Sequence, residues 1–125
     1  MYKRQDNPLL ASVLFQLAAL YHIGGQPDRA RELLERALGL WRAAAGEDNP
    51  ATLKIKLALG MVHLQAGEAL RAELLARDVA ERLERVADLD PADRRGCFEL
   101  LGRAAFSQGK IRTAWQAYQL SLIHI

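Results

Sequence analysis

Histidine, cysteine and loop glycine are the residue types in this 125-residue chain that could support chemistry. Histidine serves as a general base or a metal ligand because its pKa lies near neutrality. His22, His63 and His124 form no motif, and nothing pairs His22 with a cysteine or an acidic residue at metal-ligand spacing. His63 is expected to be a satisfied core residue, whereas His22 is placed near a helix end where it would face a groove. Cys97 is the single cysteine, which excludes an internal disulfide framework and a Cys-based zinc site. Its neighbours Gly96, Phe98 and Glu99 supply no activating base, so a buried structural thiol is predicted. Gly24, Gly25 and Gly109 are not a phosphate loop, because no strand precedes them and the Gly-Lys-Ser/Thr ending is absent. No catalytic residue, cofactor or metal is therefore expected, and the chain is read as a non-enzyme.

The remaining charged and aromatic residues read as structural. Glu73 precedes Arg77, Asp78 precedes Arg82 and Glu81 precedes Arg85, each at i, i+4 with the acid first. That orientation supports a solvated helix face. Trp41 and Trp115 stand at helical positions that favour packing between helices.

Residues 1–5 and 120–125 do not continue the pattern beside them. Met1 to Gln5 match one strand of a transposase sequencing adapter, with GTG read as the start codon, and Leu120 to Ile125 match its complement. Both ends are expected to be foreign to the fold, leaving residues 6–119 as a segment of a longer reading frame. The whole chain carries 17 basic and 15 acidic residues, a net charge of +2. Setting aside Lys3 and Arg4 brings that balance to zero, so no basic tract points to nucleic acid or to an anionic membrane. No run approaches the length of a membrane span. Apolar residues make up 50% of the chain and aromatics 6%, a balance that fits an Ala- and Leu-rich helical protein better than a sheet protein.

What must position any site is a repeat. Gly25, Gly67 and Gly109 are spaced by 42 residues, as are Ala30, Ala72 and Ala114, and Leu17, Leu59 and Leu101. Asp6-Asn7-Pro8 recurs as Asp48-Asn49-Pro50, and Asp90-Pro91 follows one residue early. Apolar residues within a unit, such as Leu14, Leu17, Ala18 and Tyr21, fall on one helical stripe. Glycine relieves the tight turn after it, and proline opens the next helix where no amide hydrogen is needed. Helices are predicted near 8–23, 27–45, 50–66, 69–87, 91–107 and from 110 onward, in units of about 8–49, 50–90 and 91–119. Small residues Ala18, Gly60 and Gly102, with Ala30, Ala72 and Ala114, would let the two helices of a pair cross closely.

Leu17, Ala18, Tyr21, Gly25, Ala30, Leu34 and Ala37 stand in the order and spacing of the tetratricopeptide repeat signature, which this chain resembles. The 42-residue step and the Gly46-Glu47-Asp48-Asn49-Pro50 joint resemble the longer repeats of kinesin light chains and of bacterial signalling proteins. The resemblance implies an all-α, right-handed α-solenoid of antiparallel helix pairs, about six helices in all, that binds proteins or peptides in a concave groove. The first helix of each pair would line that groove. Residues one helical step off the packing stripe are then Ser12, Phe15, Gln16, Ala19 and His22 in the first unit. In the second they are Lys54, Leu57, Ala58, Met61 and Gln65, and in the third Glu99, Arg103 and Phe106. Phe15 and Ala19 stand where a chaperone-carboxylate clamp needs Lys and Asn, so that mode is not expected.

The function implied is an interaction scaffold within a larger, bacterial multidomain protein. The alternatives are an appendage of a kinase or STAND-type nucleotide-hydrolysing regulator, or a self-association module. Trp115 and Tyr118 lie on the face that would pack against a following repeat, which offers a seam for self-association. No nucleic-acid or membrane partner is expected, and a cytoplasmic location is.

Overall fold

The computed structural model describes the backbone of residues 2–123 and the side chains of residues 9–123. Met1, His124 and Ile125, with the side chains of residues 2–8, lie outside the described residues, and with them much of the two ends that the sequence marks as foreign. Six helices follow one another: α1 (Tyr2–Ile23), α2 (Pro27–Ala45), α3 (Pro50–Gln65), α4 (Ala69–Arg82), α5 (Pro91–Ser107) and α6 (Ile111–Ile123). No strand occurs among the described residues.

The turn inside each pair is one motif used three times. Gly25, Gly67 and Gly109 have φ of 78°, 84° and 77°, a left-handed conformation that costs glycine little and other residues more. The residue after each glycine sends its amide back five positions: Gln26 to Tyr21, Glu68 to His63 and Lys110 to Ala105, at 2.8–2.9 Å. Each glycine amide bonds the carbonyl three residues back, which completes a Schellman cap and satisfies the last carbonyls of α1, α3 and α5.

The joints between pairs are built differently. Asn49 Oδ1 accepts from the Ala51 amide at 2.9 Å and Asp90 Oδ1 from the Ala92 amide at 3.0 Å. These side chains cap α3 and α5, and Pro50 and Pro91 occupy the first turn as predicted. Upstream of the first joint α2 ends on Gly46 at φ 83°. Asp88 stands at the corresponding place before α5, so the second joint lacks that glycine. There α4 stops at Arg82, earlier than the predicted 87, and continues as one 3₁₀ turn, Leu83–Arg85. Arg94 braces this stretch, donating to the carbonyls of Leu83, Val86 and Leu89 at 3.2, 2.6 and 3.3 Å. The predicted start of the first helix at residue 8 is corrected to Tyr2. No glycine cap stands ahead of Asp6-Asn7-Pro8, and a proline alone removes one helical hydrogen bond without forcing an end.

Two apolar clusters make the core. The first joins Leu14, Ala18, Ala30 and Leu34 to Ile55, Leu59 and Val62 of the next pair. The second joins Leu53, Ala72, Ala76 and Val79 to Cys97, Leu100, Leu101 and Ala104. Gly60 and Gly102 sit where helices cross closely: a Cβ on Gly60 would meet Leu100 Cδ2 at 2.6 Å, and one on Gly102 would meet the Tyr118 ring at 2.9 Å. Leu17, expected on the buried stripe, is 40% exposed, because the positions that cover Leu59 and Leu101 belong to a preceding pair.

Charge fastens the pairs together. Lys56, 1% exposed, donates to Glu47 at 2.6 Å and also to Asp78, and Arg82 bridges Asp78 to Asp48 at 3.1 and 2.7 Å. Arg42 closes on Glu47 at 2.7 Å and Arg85 on Asp48 at 3.0 Å. The predicted pairs Glu73–Arg77 and Asp78–Arg82 form, whereas Arg85 turns from Glu81 to Asp48. The expectation of a solvated face on this helix is corrected too: Glu73 is only 2% exposed and ties α4 to the next unit through Gln108 and Lys110. The Lys56 hydrogen bond lowers the Glu47 carboxyl, and those from Arg82 and Arg85 lower Asp48. Burial pushes Asp78 upward, but hydrogen bonds from Lys56 and Arg82 outweigh it and leave it lowered.

A candidate peptide groove

Antiparallel pairing places α1, α3 and α5 as the first helix of each pair, and between the first two a hollow opens. It measures about 270 Å³ and is walled by Phe15, Ala18, Ala19 and His22 of α1, with Ala58, Met61 and Val62 of α3. Leu34 of α2 forms its floor. Five of these residues, Phe15, Ala19, His22, Ala58 and Met61, are among the predicted groove residues. Ala18, Leu34 and Val62 are not, since the stripe pattern marks them as core. They are core residues whose edges remain open to the hollow.

Its only unsatisfied polar feature is His22. The imidazole is partly buried, and Nδ1 has no hydrogen-bond partner among the described residues. A buried polar atom left in that state costs free energy. His63 is instead satisfied: it is 5% exposed and its Nδ1 lies 2.7 Å from Glu68 Oε1. That hydrogen bond is the main cause lowering the Glu68 carboxyl.

A second, shallower hollow of about 190 Å³ adjoins the first across Phe15. The predicted residues Ser12 and Lys54 line it, with Ala11, Trp41, Ala51 and Ile55. Lys54 Nζ stands 5.8 Å from the Phe15 ring centroid, a cation–π distance that closes one edge of the ring. Toward the third unit, Arg103 reaches Met61 Sδ at 3.7 Å. Gln16, Gln65 and Glu99 are exposed, and Phe106 is exposed apart from the hollow. Leu57 is a correction: it is 8% exposed and belongs to the core cluster with Leu53 and Leu100. Its α3 position turns toward the neighbouring helices, one step too far round to reach the groove.

The arrangement can bind but offers no activated nucleophile. Burial pushes the Cys97 thiol up to about 12, and its Sγ donates to the Ala76 carbonyl at 3.2 Å. Among the described residues no group of three or more His, Cys, Asp or Glu is placed to hold a metal ion. No described helix is long and apolar enough to cross a membrane.

A family model described as tetratricopeptide repeat matches residues 9–85. The chain belongs to the tetratricopeptide repeat family. The crystal structure of BtubC (BKLC) from P. vanneervenii superposes with a TM-score of 0.85 over 91% of this chain, at 19% sequence identity. That likeness carries the fold: an all-α array of helix pairs. The chain spans 46% of the length of BtubC. No curated protein matches it. Tetratricopeptide repeats generally mediate protein–protein interaction.

Proposed function

We propose that this tetratricopeptide array is a non-catalytic scaffold that binds a peptide or partner helix along α1, α3 and α5, with one apolar side chain seated between Phe15 and Met61. One observation carries the reading: a hollow of about 270 Å³, walled almost wholly by apolar side chains, lies between the first helices of two successive pairs. Its volume suits a leucine- to tryptophan-sized anchor. Lys54 and Arg103 flank the hollow with positive charge, which favours an acidic residue next to the anchor.

Peptide display against the immobilised chain tests this. Selected peptides should share one large apolar residue, and Phe15→Ala with Met61→Ala should weaken them at least ten-fold, a loss of about 1.4 kcal/mol or more. Helicity by circular dichroism should stay at the wild-type level, because both side chains lie at the edge of the core. Peptides that bind the double variant with unchanged affinity would remove the hollow from the function.

A further inference from the structure

We infer that Ala58 opens the anchor hollow and limits the size of side chain it accepts, and that the matching space between α3 and α5 offers no second anchor site because Leu100 fills it. The inference rests on the peptide-binding reading for its functional meaning, but its structural basis is internal to the repeat. Ala58 of α3 lines the hollow between α1 and α3. One step of 42 later its counterpart on α5 is Leu100. Leu100 is 1% exposed and belongs to one buried cluster with Leu57, Ala76 and Ala104. A Cβ on Gly60 would stand 2.6 Å from Leu100 Cδ2. The leucine therefore lies directly against α3 where α5 crosses it, and a glycine at that point leaves it room.

The space between α1 and α3 is built from the opposite choices. Ala18 stands where the next unit has Gly60, Ala58 where it has Leu100, and Leu34 where it has Ala76. All three line the hollow. α5 packs closely on α3, whereas α1 stands further from it, so the short side chains of Ala18 and Ala58 leave the volume between them open. A leucine at position 58 would carry three more carbon atoms into about 270 Å³, as Leu100 does one unit on. Those atoms enter open space, so the strain of overpacking is avoided and the added apolar burial favours the fold. A single anchor position follows, because a peptide running on toward α5 meets an interface that is already filled.

Indole, at the upper size of the anchor, probes the hollow in the full chain, with the methyl resonances of Met61 and the alanines read by NMR. In the wild type it should shift the Met61 and Ala19 methyls, which wall the hollow, and leave Ala76 and Ala104, which pack with Leu100, unmoved. Ala58→Leu should weaken indole by about ten-fold or more and melt no lower than wild type. Ala58→Ser, which changes the residue without filling the space, should bind indole nearly as wild type does. An affinity unchanged by Ala58→Leu would assign the hollow to helix spacing alone, and a marked fall in its Tm would mean that the space is not open. Indole shifts at Ala76 and Ala104 in the wild type would place a second site between α3 and α5. Each of these results overturns the inference, as does a wild type whose Met61 methyl indole does not move. Peptides selected by display report separately on the peptide-binding reading. If Ala58→Leu excludes indole yet binds those peptides undiminished, the hollow is not their anchor site, and the role of Ala58 in opening it stands.

Discussion

Glu73→Gln tests whether the charge at the second joint is ionised and held there by its partners. The Glu73 side chain is 3% exposed, yet it accepts from Lys110 at 2.8 Å, Arg77 at 2.8 Å and Gln108 at 2.7 Å. Burial by itself raises this carboxyl, but the three hydrogen bonds outweigh it and bring the pKa from 4.5 down to about 2. At about 1.4 kcal/mol per pH unit, that difference is worth about 3 kcal/mol of folding free energy. Lys110 and Arg77 are 44% and 48% exposed and return to water when the charge is removed. The net cost of Glu73→Gln at pH 7 is therefore about 2 kcal/mol, or a fall in Tm of roughly 6–8 °C for a chain of this length.

The pH dependence gives the sharper reading. A folded pKa below the unfolded one means that the stabilisation is complete above about pH 5 and is lost as pH falls toward 2. Urea unfolding of both proteins at several pH values, followed by circular dichroism, isolates Glu73, because the other lowered carboxylates are common to both. The gap between them should be constant from pH 7 to about 5.5 and less than half as large by pH 3. A gap that stays constant down to pH 3 would refute the ionised, hydrogen-bonded carboxylate.

Two further outcomes follow from the packing. Ala72 is fully buried, and its carbonyl lies 3.7 Å from where a Cβ on Gly60 would stand, so Ala72→Trp should force α3 and α4 apart. The cost should be at least about 1–3 kcal/mol, and an unchanged melting temperature would contradict the close crossing. Cys97, fully buried with its thiol pushed up to about 12, should resist thiol reagents in native buffer and react only as denaturant opens the second cluster. Rapid native labelling would contradict its burial.

Much of this fold is legible because its elements repeat. Glycines at a fixed step mark the three left-handed turns, and Asn49-Pro50 and Asp90-Pro91 mark helix starts that their own side chains cap. Local chemistry decides such features, so a short window contains the answer. What the sequence hides is long-range. Lys56 is buried between Glu47 and Asp78, 9 and 22 residues away, and no short window of sequence contains both partners. Arg94 is one of several arginines, and only its hydrogen bonds to the carbonyls of Leu83, Val86 and Leu89 explain its place. The rule of one helical step off the stripe brings five of its residues to the α1–α3 hollow. It fails at Leu57, where α3 has neighbours on more sides than α1 has.

The polar fasteners and the apolar hollow occupy different sides of the same helix. On α3 the 100° turn per residue sets Lys56 roughly 140° from Met61 and 160° from Ala58. Joint charges thus fix one pair against the next from one side, while the other side keeps open edges of core residues such as Ala18 and Val62. Separation of this kind lets groove side chains change without loosening the joints. Coupling between them runs through helix orientation: weakening Lys56 or Arg82 would let α3 turn against α2, and Leu34, the floor of the hollow, lies on α2. A joint variant that still folds should therefore lose peptide affinity through the shape of the hollow, even though none of the altered atoms touches the peptide.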